Sequence, residues 1–598
     1  MKLKNNITLL LLVTTISCCH DFLGERPLSS VTDGISFETE HMLEANMRGI
    51  YNSLSYMTSS TWLGYLGYAS RLEVWRGSTR TDFEHEQCHE LCLGAKSSAN
   101  ESIYLSIYSS INMCNTLIDG LKDSPVNESY KEEIYGEALF MRAFFYFQLV
   151  RLYGNVPLIL NQCRNTGDAN VARTRYDIVY KAILDDLDKA FKMMRSQSRQ
   201  LEVNPGADRP INMAAKVLMA QVYTQIGSIL DSPEDQAFGT ILDGPLTPDF
   251  TCCGIATAGE AWTEALKLEE EVIKSDVYAL EPDYRNLFRW DSRNHPTDFS
   301  SKERILTLSN TIESGTVHMS SWTVWDYPDG IWSKTPAHSS NHDRIRPNRW
   351  IWKRWSEIHG GTQKTVNDYN VWSAALDPRL STTIQHTEYK AYESGTTLKT
   401  MKLYPADAIN TNDNNLFFRK YFSPAYIGTA SEVDLYIIRY ADVYLTAAEA
   451  AASIGETEKA IGYMNELLTR ARNSTDSGKP SEYPAAWKES DFSSKEEIID
   501  AIMMERIFET LLEGSDWFNI HRRGAGWIAR NITIPMNDFI DDPEQEKIKK
   551  YSFGGKALPE SISDIQNRYF CEFPDYEFRY NPVLSADKDQ NYYSWSTK

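Results

Sequence analysis

Residues 137–147 read Glu137-Ala138-Leu139-Phe140-Met141-Arg142-Ala143-Phe144-Phe145-Tyr146-Phe147, and the chain soon continues Leu152-Tyr153-Gly154-Asn155-Val156-Pro157-Leu158. The apolar residues here fall on every side of a 3.6-residue repeat, so the spacing predicts a helix over about 131–153 that is buried all round. A helix of that kind has to be surrounded by other elements. Gly154 permits a positive φ and Pro157 cannot continue a helix, which places the stop between them.

Working outward, apolar residues recur at helical spacing from Glu40 to Met57 (Leu43, Met47, Ile50, Leu54) and from Tyr104 to Leu121 (Ile107, Ile111, Leu117). Further helices are predicted over Tyr176–Phe191 and Met213–Ile226, the latter with small alanines Ala214, Ala215 and Ala220 that permit close contact. In the last third, Asp434–Ser453, Gly455 and Thr457–Ala471 form a predicted helix-turn-helix, with Ala448, Gly455 and Ala460 placed as in a tetratricopeptide-like repeat. Lys495–Leu512 is one more helix. Between the two helical blocks, residues 240–430 are rich in Trp, Tyr, Asn, Asp and Gly, and read as loops and short strands. Loops carried on a rigid scaffold are where ligands tend to bind. The fold class is therefore mainly α. The expected organisation is a leader over 1–17, a tether over 18–35, a helical part over 36–240, a loop-rich ligand region over 241–430 and a second helical part over 431–598.

The N-terminus reads as an export signal: Lys2 and Lys4, then an apolar run from Ile7 to Val13, then small residues Thr14, Thr15 and Ser17. Thr15-Ile16-Ser17-Cys18 resembles a bacterial lipobox, with Cys18 as the lipidated residue. Cys19 is the alternative, although Cys18 before it is not the small residue such sites want. Ordinary signal cleavage is the plainer reading. The apolar run is too short to span a bilayer core, which needs roughly 20 residues, and no later run is long enough either. A net charge of −21, from 61 Lys+Arg against 82 Asp+Glu, repels phosphate backbones and argues against nucleic acid as a partner. The remaining cysteines (Cys88, Cys92, Cys114, Cys163, Cys252, Cys253, Cys571) are odd in number and irregular in spacing, so no disulfide framework is implied.

Four segments, in order, resemble the SusD/RagB family of nutrient-uptake outer-membrane lipoproteins. They are the 137–158 stretch; Arg439-Tyr440-Ala441-Asp442-Val443 with Ala448-Glu449-Ala450, Gly455, Ala460, Asn465 and Arg470-Ala471-Arg472; Glu505-Arg506, Glu509, Glu513-Gly514, Trp517-Phe518-Asn519-Ile520 and Arg522-Arg523-Gly524; and Pro574, Glu577, Asn581-Pro582, Gln590-Asn591-Tyr592. Asn519 stands where Asp is usual, and Glu572 where the family has a second proline. The resemblance implies a SusD-like scaffold of four tetratricopeptide-like helix pairs with an irregular ligand-binding face. It also implies a cell-surface lipoprotein, anchored in the outer membrane and facing outward, that captures glycan, or in some members peptide. The captured molecule would pass to a SusC-like TonB-dependent transporter beneath. No enzyme activity and no cofactor are implied. Glu505, Arg506, Glu509 and Glu513 lie at helical spacings where carboxylate and guanidinium can pair, and read as structural rather than as a catalytic dyad.

Six of the 15 tryptophans fall between residues 322 and 355, far above uniform scatter. Sugar rings present an apolar C–H face and a polar rim, which suits an aromatic platform flanked by hydrogen-bonding groups. Trp322, Trp325, Tyr327 and Trp332, in a stretch broken by Pro328 and Gly330, are the candidate platform, with Asp326, Asp329, Asn341, Arg344 and Arg349 nearby. Trp350, Trp352 and Trp355 read equally well as packing under a loop. A second candidate is residues 73–82, with Trp75, Arg76, Arg80 and Asp82 as ligand contacts, against a structural strand edge. His85-Glu86-Gln87-Cys88-His89 matches H-E-x-x-H, in which two histidines one helical turn apart bind zinc and Glu acts as base. Acidic Glu84 and Glu90 flank it where a zinc protease buries an apolar helix, so coincidence is the leading reading. A metal site of His85, Cys88, His89 and Cys92, and a zinc hydrolase, are the alternatives.

Overall fold

The computed structural model describes residues 37–58, 62, 65–75, 94–203, 209–231, 248–288, 301–309, 345–366, 369–385, 388–393, 397–402, 416–420, 434–541, 560–566 and 569–586. The principal helices are α1 (Glu40–Ser53), α2 (Ser98–Leu121), α3 (Glu128–Tyr153), α4 (Tyr176–Met193), α5 (Asn212–Asp231), α6 (Ala258–Lys274), α7 (Arg349–Ile358), α8 (Tyr440–Ser453), α9 (Thr457–Asn473) and α10 (Lys495–Thr510). The fold is mainly helical. α2 packs on α3, α3 on α4, α4 on α5, α5 on α6, α6 on α8, and α8 on both α9 and α10, so one continuous apolar core runs from the first helical block into the last.

Helix α3 is the hub, as its sequence requires: Phe140, Phe145, Leu149 and Leu152 are fully buried. Its one interior cation, Arg142, is placed by a fork to Asp186 of α4, with both N–O distances 2.8 Å. The same guanidinium reaches Asn115 of α2 at 2.9 Å and the Leu160 carbonyl at 3.0 Å. A bidentate pair of this geometry fixes the relative rotation of three helices. Gly154, at φ +68°, ends α3, and the Asn155 side chain then accepts the first N–H of α4, from Tyr176, at 2.8 Å.

The short strands are β1 (Glu73–Trp75), β2 (Arg304–Leu308), β3 (Ile345–Pro347) and β4 (Leu435–Arg439), with minor ribbons elsewhere; β1 pairs antiparallel with β3 and β2 with β4. Two expectations need correction. The stretch from Asp434 is not helical throughout: residues 435–439 are strand β4, and helix begins at Tyr440. The apolar run Leu435-Tyr436-Ile437-Ile438 pairs with β2, and Asp442 accepts the Arg439 backbone N–H at 3.0 Å, capping α8 at that point. Nor is the 240–430 stretch loop and strand alone, since it contains α6 and α7. Thr257 and Glu260 form a reciprocal capping box at the start of α6, and Ala261, Ala265, Leu266 and Val272 bury its inner face. Among the described residues, Cys114, Cys163, Cys252, Cys253 and Cys571 are free thiols.

Candidate ligand-binding site

The ladder between β1 and β3 pairs residues 73–75, the start of one sequence-predicted ligand segment, with residues 345–347. Glu73 lies opposite Pro347, Val74 opposite Arg346 and Trp75 opposite Ile345. Because the strands are antiparallel, the segment beginning at Arg76 and the segment ending at Arg344 join the ribbon at the same end. Trp75 is described only through its backbone in β1. Arg76, Arg80, Asp82, Trp322, Trp325, Tyr327 and Trp332 lie outside the described residues. So do Cys18 and Cys19 of the lipobox and His85, Cys88, His89 and Cys92 of the H-E-x-x-H segment. Among the described residues no cluster of His, Cys, Asp or Glu could hold a metal ion.

Asn348, buried at the junction of β3 and α7, donates its backbone N–H to the Leu72 carbonyl at 2.8 Å and its amide to the Arg71 carbonyl at 2.9 Å. Its side-chain oxygen accepts the Trp350 N–H at 2.9 Å, capping α7. One residue thus pins the start of β1 and starts the next helix. Trp350 and Trp355 are at most 1 % exposed and Trp352 is 6 % exposed, so these three tryptophans pack. Trp355 stacks on Phe508 of α10 at 4.7 Å and donates its indole N–H to Asp377 at 2.9 Å, while Trp352 donates to the Trp372 carbonyl at 3.0 Å.

Asp377 belongs to a buried ionic lattice. Arg379 bonds Asp377 and Glu505, each at 2.7 Å, and Glu509 at 3.2 Å. Arg439 reaches Glu303 at 2.8 Å, Glu509 at 2.7 Å and Glu513 at 2.7 Å, and Lys420 reaches Glu513 at 2.6 Å. Arg470 pairs with both Glu303 and Glu509. Burial opposes ionisation of Glu509, yet Arg470, Arg439 and Arg379 outweigh it and hold its carboxyl far below the usual range. Glu449, buried against Arg522, Arg506 and Arg523, is likewise held down to about 2. Glu505 and Glu509 of α10, and Glu513 just beyond it, therefore do not pair along their own helix, as the spacing suggests, but with basic residues brought from elsewhere in the chain. Asp377-Pro378 does signal a short helix start, but nothing in the spacing of Arg379 points to a glutamate 130 residues on. Every carboxylate of this lattice has a cationic partner, so the arrangement fixes elements in place and leaves no free acid for chemistry.

A family model described as "SusD family" matches residues 302–592, and one described as "Starch-binding associating with outer membrane" matches residues 21–224. The chain belongs to the SusD family. It is 24 % identical over 536 residues to "SusD-like protein P2" of Formosa agariphila, covering 88 % of this chain and 91 % of that protein. A SusD superfamily protein from Parabacteroides distasonis shares the fold with a TM-score of 0.63 at 20 % identity, covering 93 % of this chain and 98 % of that one. A structure titled "Laminarin binding SusD-like protein" matches with a TM-score of 0.57 at 19 % identity, covering 90 % of this chain and all of that one. The description of the second model names starch binding and association with the outer membrane. Among the described residues no helix is long and apolar enough to cross a membrane.

Proposed function

We propose that this SusD-family chain is a cell-surface lipoprotein that captures an oligo- or polysaccharide without altering it and delivers it to a SusC-like TonB-dependent transporter. The glycan lies against the segments that leave the open end of the β1–β3 ribbon, with Trp75, Trp322, Trp325, Tyr327 and Trp332 as the aromatic platform. Arg76, Arg80 and Asp82 bond the sugar rim. Cys18, or Cys19 beside it, carries the lipid that tethers the protein to the outer membrane, facing outward.

The observation that supports this most is the pairing of Trp75 with Ile345. One chosen segment starts in this ribbon at residues 73–75, and the tryptophan-rich one precedes the partner strand, residues 345–347, in the chain. The family description of starch binding and outer-membrane association points the same way. The test is titration of a panel of glycans and peptides with protein lacking residues 1–19, repeated with Trp322→Ala and Trp325→Ala. Loss of one aromatic stack weakens binding by roughly tenfold on the 1–1.5 kcal/mol scale of such contacts. If both variants bind glycan as tightly as the parent, the platform is misplaced; if peptide alone binds, the ligand class is wrong.

A further inference from the structure

Cys252 and Cys253 stand side by side in a single 3₁₀ turn, Thr251–Cys253, packed on the first turn of α4. Phe250 anchors that turn. Its buried ring meets Tyr176 and Tyr180 of α4, each at 5.5 Å between centroids, and its carbonyl accepts the N–H groups of Cys253 at 2.8 Å and Ile255 at 3.2 Å. Asp249 braces the same turn by accepting the Thr251 N–H at 2.9 Å and the Thr251 hydroxyl at 2.7 Å. Successive side chains of a 3₁₀ turn ordinarily point in different directions, three to a turn. Here both thiols lean the same way: the two Sγ atoms lie 3.8 Å apart, and they donate to one acceptor, the Asp177 carbonyl, at 3.5 and 3.7 Å. Both thiols are free, with Cys252 exposed and Cys253 half-buried.

Geometry separates two uses of such a pair. A disulfide between adjacent residues would join Cα atoms about 3.8 Å apart, whereas the bond normally joins Cα atoms at about 4.4–6.8 Å, so direct closure is strained and readily reversed. A bridging atom avoids this. With bonds of about 2.3 Å to each sulfur, the length of a zinc–thiolate bond, it spans the observed 3.8 Å at a roughly tetrahedral angle. The nearest carboxylate, Asp177, is engaged through both oxygens by Arg175 at 2.6 Å, so the bridging centre has to be one that two sulfurs satisfy. Trivalent arsenic is such a centre, because it bonds two thiols and keeps a third substituent of its own. Burial also raises the pKa of both thiols above the ordinary value. That slows reactions requiring a thiolate but suits a condensation in which the S–H protons themselves depart.

We propose that Cys252 and Cys253 form a chelating dithiol site for one trivalent arsenical. For a compound R–As(OH)₂, two As–S bonds form and two As–O bonds break, each oxygen leaves as water with one thiol proton, and arsenic stays trivalent. The proposal does not rest on the glycan site. The probe is phenylarsine oxide, which hydrates to this form, added in excess to the full chain and followed by intact-mass measurement and thiol counting. The parent is expected to carry one phenylarsenic group more than Cys252→Ser/Cys253→Ser and to lose two thiols in taking it up. All other cysteines are common to both proteins and cancel. Serine is close to cysteine in size, so the variants keep the fold. Either single variant, Cys252→Ser or Cys253→Ser, loses the chelate, and about a hundredfold less 2,3-dimercaptopropanol should strip the arsenical from it, on the scale by which a second tethered contact raises affinity. Equal arsenic in parent and double variant overturns the proposal. So does a parent in which the pair is already a disulfide, or a single variant that holds the arsenical as firmly as the parent.

Discussion

Arg439 and Glu509 form an ion pair at 2.7 Å in which neither side chain is more than 1 % exposed. They lie 70 residues apart in the chain and join strand β4 to helix α10. Removing one partner from such a pair leaves a buried charge uncompensated, at a cost of about 3–5 kcal/mol. Arg439→Met is therefore expected to lower the stability measured by urea unfolding by that amount. Lys459→Met removes a pair to Glu270 in which the lysine is half exposed, and should change it by less than about 1 kcal/mol. Equal effects of the two substitutions would show that the lattice does not hold the fold.

The same lattice sets the response to acid. Glu449 has an ordinary value of 4.5 and is held down to about 2 by Arg522, Arg506 and Arg523 against the opposing effect of burial. A carboxyl whose pKa is lower in the folded than in the unfolded state contributes stability that is complete above the unfolded value and is lost as pH falls through the folded one. Unfolding free energies taken from pH 5 down to pH 2 should therefore fall steeply for the parent, across the interval those two values bracket. Glu449→Gln should start lower at pH 5 and fall less steeply over that range. Parallel curves for the two proteins would contradict the assignment.

Glu269 behaves in the opposite sense. It is fully buried on α6, neither carboxyl oxygen has a hydrogen-bond partner among the described residues, and burial followed by the nearby Asp442 pushes its pKa well above the ordinary 4.5. A raised carboxyl pKa means that the folded state holds a proton that the unfolded chain releases, so stability declines as pH rises above the unfolded value. Glu269→Gln removes that decline. The variant should match the parent near pH 4 and exceed it at pH 7 by on the order of 1–3 kcal/mol, the scale of an unmet buried polar group. Thermal melts at the two pH values decide it, and a variant less stable than the parent at pH 7 would refute the reading.

The helices were legible in the sequence because each carries its own periodic signal. Helix α3 could be read from its nearly continuous apolar run, and its stop from Gly154 and Pro157. Where the sequence reading failed, a long-range partner decided the structure. Residues 435–438 carry a helix-compatible apolar pattern, and only pairing with residues 304–308, far earlier in the chain, makes them a strand. The candidate site divides in the same way. Trp322 and Trp355 belong to the same cluster of tryptophans, and only the nearby Pro328 and Gly330 set the first apart. Trp355 is revealed as packing only by Phe508 and Asp377. Likewise the meeting of residues 73–75 with 345–347 is a pairing between segments some 270 residues apart, which no motif encodes.

That pairing depends on Asn348. Its amide and backbone N–H hold the carbonyls of Arg71 and Leu72, and its side-chain oxygen caps α7 through Trp350. Asn348→Ala removes the cap and the Arg71 bond while sparing the backbone bond to Leu72, and loss of an N-cap of this kind costs about 0.5–2 kcal/mol. Global stability should drop by about that much, and amide hydrogen exchange at the β1–β3 ladder should accelerate more than exchange in α3. If the glycan lies on the segments leaving the ribbon, its affinity should fall with the ladder, because a platform on loosened strands must be ordered at each binding event. Trp355→Ala, which cuts into packing beneath α7, should cost about 3–5 kcal/mol of stability, with a smaller fractional loss of affinity in the folded protein than Trp322→Ala. An Asn348→Ala protein whose ladder exchanges faster yet binds glycan as before would place the binding face somewhere other than this ribbon.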